Sequence, residues 1–166
     1  MRRLFLLFCL VASAQTKVPK FDQFPATETF SGKPAVSILK RARDRLYRTM
    51  IRVEAEEGPN FAGRYKVALW GCGSSCNGGA LVDEKTGEIF DLPFTYMGWG
   101  PGKFGDGAVG LAYGFEQVSI RKDSRLFVYR GCPEDDATRC GAYYYEWTGI
   151  QFKLIKKFGF TPTVTR

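Results

Sequence analysis

Five carboxylates invite a catalytic reading of this chain: Asp83, Asp91, Asp106, Asp123 and Glu146. A glycoside hydrolase needs two such groups facing each other across a cleft, about 5–10 Å apart. Spacing along the chain does not supply that distance. Asp83 and Asp123 fall where hairpin turns use side-chain acceptors, and Glu146 alternates with tyrosines, which suits a partner for an arginine. The chain has no histidine at all. That excludes a Ser-His-Asp triad, a Cys-His dyad, a HExxH zinc helix and histidine-ligated haem. The expectation is therefore no catalytic residue, no cofactor and no metal. Glu134-Asp135-Asp136 lacks the spacing of a calcium loop and reads as a solvated acidic tip.

Five cysteines remain as reactive groups. Cys9 lies in an N-terminal segment with the grammar of a signal peptide: Arg2-Arg3, an apolar run Leu4–Val11, then small Ala12-Ser13-Ala14. The run is about eight residues, far short of the roughly 20 a spanning helix needs. Cleavage is expected after Ala14, leaving a chain that is exported, periplasmic or secreted, and has no transmembrane segment. Four cysteines then remain, and an even count in an exported chain points to two disulfides. Of three connectivities the local one is favoured, Cys72–Cys76 and Cys132–Cys140, because turn formers fill both intervals. Cys72-Gly73-Ser74-Ser75-Cys76 is C-x3-C rather than the C-x2-C of redox sites, and Cys132–Cys140 is a poor match to zinc spacing.

Two surfaces could bind. Phe94–Phe115 carries seven glycines in 22 residues with Tyr96, Trp99, Phe104 and Tyr113. That is long for a connector, and aromatics on such loops suit stacking on sugars or anchoring a protein. Its companion is Trp70, at the head of the Cys72–Cys76 loop. It is not a phosphate loop, lacking the GKS/T ending. The second surface is an arginine stripe, Arg41, Arg45, Arg48 and Arg52. In a chain of net charge +7 it suits either a solvated face or an anionic partner. Nucleic acid is not expected, because export and the lack of a reader motif argue against it.

The elements that position these residues follow from periodicity. Residues 1–14 are the signal peptide, 15–33 an extended arm that Phe21, Phe24 and Phe30 could anchor, and 34–166 one domain. A helix is expected over 34–57, with Pro34 in its first turn and Gly58-Pro59 beyond its end. Leu39, Ala42, Leu46, Met50 and Val53 form its core-facing stripe. Period two then takes over. Arg64–Trp70 is a strand with Tyr65, Val67 and Leu69 on one face. Three hairpins follow, turning at Glu84–Gly87, Lys122–Ser124 and Thr148-Gly149. In the last, Tyr143, Tyr145 and Trp147 share a face opposite Ile150, Phe152 and Leu154. The expected fold class is α+β, mainly β: an antiparallel meander of about seven strands, curved or barrel-like, with one amphipathic helix.

Gly58-Pro59-Asn60-Phe61-Ala62-Gly63-Arg64-Tyr65, Trp70-Gly71-Cys72-Gly73-Ser74-Ser75-Cys76 and Val82-Asp83-Glu84-Lys85-Thr86-Gly87 resemble an uncharacterised family of small exported bacterial proteins. The resemblance spans about residues 42–155. It implies export and a compact β-rich domain and carries no activity with it. It also implies that relatives place histidine where this chain has Arg64. The combined expectation is a non-enzymatic binding module whose partner is an envelope protein or glycan, by analogy an inhibitor or immunity-type partner of an envelope enzyme. A carboxylate-dependent hydrolase of envelope glycans is the runner-up, and a structural accessory protein the third reading.

Overall fold

The structure is a computed structural model and describes residues 17–73, 76–95, 97–98, 102–110 and 117–162. The signal-peptide expectation lies outside them.

Two antiparallel half-sheets make the body. In the first, β1 (Tyr65–Gly73) pairs β2 (Cys76–Asp83), and β2 pairs β3 (Ile89–Asp91). In the second, β7 (Val118–Ser119) pairs β8 (Leu126–Pro133), β8 pairs β9 (Gly141–Trp147) and β9 pairs β10 (Phe152–Phe158). The short β4 (Met97–Gly98) joins the ends of β2 and β8, making one eight-stranded sheet. A separate three-stranded sheet contains β5 (Gly102–Phe104), β6 (Val109–Gly110) and β11 (Phe160–Pro162). All three expected hairpins are present. The expected strand count of about seven is too low, because ladders of two or three residues show no alternation to read.

Tyr65 on β1 and Trp147 on β9 are far apart in strand order, yet their rings lie 5.3 Å apart edge to face. The sheet therefore folds back on itself without closing: among the described residues its end strands β1 and β10 do not pair. The central core lies between the halves and includes Phe61, Tyr65, Val67, Leu81, Phe127, Tyr129, Tyr143 and Trp147. Period two assigns these positions correctly, since residues two apart share a face. A bulge between Leu154 and Lys156 breaks that period in β10. Phe152 reaches the core against Trp147, while Ile150 and Leu154 stay exposed, against expectation.

Outer layers cover both halves. On β1 and β2, Ala68, Trp70, Ala80 and Val82 pack against Ile51 and Ala55 of a helix. On β8 and β9, Leu126, Val128, Ala142 and Tyr144 pack with Phe104, Phe158, Phe21 and Phe24. The arm is held by backbone bonds, Ala26 N–H to Asp123 O and Arg125 N–H to Phe24 O, and the Ser124 hydroxyl sits at 2.8 and 2.9 Å from the Phe21 and Phe24 carbonyls.

The helix departs from expectation in start and in face. It consists of α1 (Ala42–Leu46) and α2 (Arg48–Glu56), hinged at Tyr47. Residues 35 and 38 cannot begin a helix because their N–H groups donate across to Glu84 and Gly87 carbonyls at 2.8 Å. Asp44 starts α1 instead, accepting the Arg41 backbone N–H at 3.2 Å and its guanidinium at 2.9 Å. The buried face is Tyr47, Ile51 and Ala55; of the expected stripe Leu39 packs on the same cluster from ahead of α1, while Ala42, Leu46, Met50 and Val53 are exposed. Tyr47 stacks on Trp70 with centroids 4.8 Å apart. A large ring next to a partner ring outweighs three aliphatic side chains that have none.

Candidate functional site

The segment Asn60–Tyr65 is a tight loop. The Asn60 side chain accepts the Val67 N–H at 2.8 Å and donates to its carbonyl at 3.2 Å. Ala62 (φ 44°) and Gly63 (φ 82°) are left-handed. A Cβ on Gly63 would sit 1.6 Å from the Glu28 carbonyl oxygen, so only glycine lets the arm pass. This loop presents Arg64 to the turn after β2. There Asp83 accepts the Lys85 N–H at 3.0 Å and pairs with the Arg64 guanidinium at 3.0 Å. Arg64 also donates to the Tyr65 hydroxyl at 2.9 Å and pairs with Glu28. A hydrogen bond from Lys85, with Arg64 alongside, holds the Glu28 carboxyl below the usual range.

These groups edge a cavity of about 250 Å³, lined by Thr27, Glu28, Arg64, Tyr65, Arg125 and Trp147, with the turn Thr148-Gly149 at its rim. Arg125 is held by Glu146 at 2.6 Å and by the Pro25 carbonyl at 3.0 Å. Trp147, only 1% exposed, also borders a second cavity of about 370 Å³ against Phe90, Asp91 and Phe152. Two buried donors here have no acceptor among the described residues: Trp147 Nε1 and Arg64 Nε. Buried N–H groups are almost always paired.

Neither Glu28 nor Trp147 was singled out by spacing. Glu28 sits in an arm with no period, and Trp147 reads as one more sheet aromatic. The 58–65 motif, which brings Ala62, Arg64 and Tyr65 to the cavity, was the available signal.

The expected aromatic surface is not assembled as drawn. Trp70 is buried under the helix, with Ala68, Ala80 and Gly78 leaving room for its ring, and Phe104 is buried against Phe160 in the opposite outer layer. They lie on different sides of the molecule and neither is available as a contact surface. Tyr96, Trp99 and Tyr113 lie outside the described residues. The arginine stripe also divides. Arg41 precedes α1 and pairs with Asp44 and Asp91. Arg45 donates to the Lys40 carbonyl at 2.6 Å and Arg48 to the Arg45 carbonyl at 3.2 Å, and both stay exposed with Arg52.

Cys132 and Cys140 are disulfide-bonded, as the local pairing required. Cys72 is also disulfide-bonded, and the Cys76 side chain lies outside the described atoms. Among the described residues no group of three or more Cys, Asp or Glu is placed to hold a metal, and no helix is long and apolar enough to cross a membrane.

Two further buried carboxyls stand apart from the cavity. Burial pushes Asp106 up, but hydrogen bonds from Tyr144 and the Ala108 N–H, with the Arg130 charge, hold it below the usual range. Glu84 has no hydrogen-bond partner on either oxygen among the described residues, and burial pushes its carboxyl up to about 7.

No family model, no curated protein and no solved structure matches this chain.

Proposed function

We infer that the protein is an exported, non-enzymatic binding module of the bacterial envelope. Its target is an envelope protein or glycan that places an acceptor group in the Arg64–Trp147 cavity. One observation carries the reading. Each of the five carboxylates open to a catalytic interpretation is tied to an arginine: Asp83 to Arg64, Asp91 to Arg41 and Arg43, Asp106 to Arg130, Asp123 to Arg121 and Glu146 to Arg125. A general acid needs a raised pKa, and Asp106 and Asp123 are held below the usual carboxylate range by their hydrogen bonds and arginines, while the carboxyl that is pushed up, Glu84, is fully buried. Export rests on the N-terminal grammar and the family resemblance.

The test is affinity capture from envelope extract with the oxidised protein, beside Thr27→Trp and Trp99→Ala. Thr27 is exposed on the cavity rim, so a tryptophan there fills the opening. The expected result is one component retained stoichiometrically by the wild type and Trp99→Ala and lost from Thr27→Trp. Retention lost only from Trp99→Ala would move the site to the glycine-aromatic segment. Turnover of an envelope glycan that disappears in one carboxylate-to-amide variant would replace the reading with a hydrolase.

A further inference from the structure

The face of the helix turned away from the sheet carries Leu46, Met50 and Val53, 72%, 47% and 56% exposed. At 100° per residue these i, i+4 and i+7 positions form one stripe. They are the residues periodicity would send into a core, and Tyr47, Ile51 and Ala55 hold the core side instead. The stripe therefore has no cover among the described residues. Val36, 80% exposed, lies in residues 33–37, which border a separate groove with Arg52 and Glu56.

The charge beside the stripe is one-sided. Arg45, Arg48 and Arg52 are exposed and have no carboxylate partner among the described residues, whereas Arg41 and Arg43 are neutralised by Asp44 and Asp91. At the far end of α2, Glu54 and Glu57 share one cation, Lys66, at 3.3 and 2.6 Å, and Glu56 is exposed.

We propose that α1 and α2 dock this protein on an anionic lipid bilayer surface, with Leu46, Met50 and Val53 entering the headgroup–acyl boundary and Arg45, Arg48 and Arg52 on lipid phosphates. An exposed apolar stripe flanked by exposed guanidinium groups without carboxylate partners is the pattern of an interfacial helix. Three apolar side chains are too few for a stable protein interface, which buries about 800 Å² per partner. A soluble polyanion would use the arginines and leave the stripe in water. The arginine stems are long enough to carry their charge to the headgroup level while the apolar side chains lie deeper.

The experiment is co-sedimentation of the oxidised protein with vesicles of phosphatidylcholine alone or with three-tenths phosphatidylglycerol. Three variants accompany it: Leu46→Ser/Met50→Ser/Val53→Ser, Arg45→Gln/Arg48→Gln/Arg52→Gln, and a control, Leu154→Ser, on the exposed part of β10. The wild type is expected to bind the anionic vesicles at least about tenfold more tightly than the neutral ones. Each triple variant should lose at least about tenfold, and the control should lose nothing. The single variant Met50→Ser, expected to lose severalfold, serves if the triple does not fold. Equal partition to neutral and anionic vesicles, or no binding by the wild type, overturns the proposal. So does full binding by the serine triple, which would reduce the arginines to a general polyanion site.

Discussion

Glu84 has the clearest solution behaviour of any single residue here. It is fully buried, both oxygens lack a hydrogen-bond partner among the described residues, and its carboxyl is pushed up to about 7, by burial first and then by Asp83, with Lys66 pulling the other way. The folded state then binds a proton that the unfolded chain releases near pH 4.5. Stability is fully retained below pH 4.5 and falls as pH rises to about 7, by about 3 kcal/mol at most. The chain has no histidine to blur that window. Urea unfolding of Glu84→Gln at pH 5 and pH 8 should show nearly equal stabilities, where the wild type is weaker at pH 8. A wild type equally stable at both would remove the buried acid from the account. Asp106 has the opposite sign. Held below the usual range by Tyr144, Ala108 and Arg130, it stabilises above that range, and the effect is lost as pH falls through its lowered pKa. Asp106→Asn strands Arg130 and should cost about 3 kcal/mol in thermal or urea unfolding. A loss under 1 kcal/mol would mean the Arg130 guanidinium finds water instead.

At the scale of elements, the strands were legible and the helix was not. Alternation in Tyr65–Trp70 and Ala142–Trp147 reports the two faces of a folded-over sheet directly. The helix has two periodic readings, Leu46/Met50/Val53 and Tyr47/Ile51/Ala55, and only the ring of Trp70 opposite Tyr47 decides between them. That contact joins residues 23 apart in sequence, beyond the reach of a local pattern. Residues 34–38 were misread as helix for a related reason: the Ala35 and Ile38 N–H groups donate to carbonyls in the Glu84–Gly87 turn. Gly87 secures that junction. Its φ is +78° and a Cβ would sit 2.2 Å from the Val36 carbonyl oxygen. Gly149 has a similar φ of +98° with open space around it. Gly87→Ala should therefore cost about 2 kcal/mol or more and Gly149→Ala about 1 kcal/mol. Denaturant midpoints would read the difference, and equal losses would mean the 34–38 segment does not bear on the turn.

Across the whole molecule, three apolar clusters share the two half-sheets, so helix, sheet and arm should unfold together. Ile51→Ala, on the helix side, should cost about 2–5 kcal/mol and shift one transition seen alike by tryptophan fluorescence and far-ultraviolet dichroism. Two separate transitions would show that the helix is only loosely docked. The cavity belongs to this scale too. It forms where the arm, the 60–65 loop, Arg125 and the end of β9 with its turn meet, so its lining comes from segments far apart in the chain. The motifs around Arg64 and Asp83 were visible in the sequence, but Trp147 and Glu28 join them only through the folding-over of the sheet. Occupancy of that cavity is the central claim, and Trp147 Nε1 reports it. The chain has three tryptophans, so the ¹⁵N–¹H indole spectrum is simple to assign by comparison with Trp147→Phe. Adding the envelope component retained by the wild type should shift the Trp147 indole N–H as the cavity its ring lines is filled, and Thr27→Trp should abolish the shift. A Trp147 indole signal unmoved at saturating partner would contradict the account.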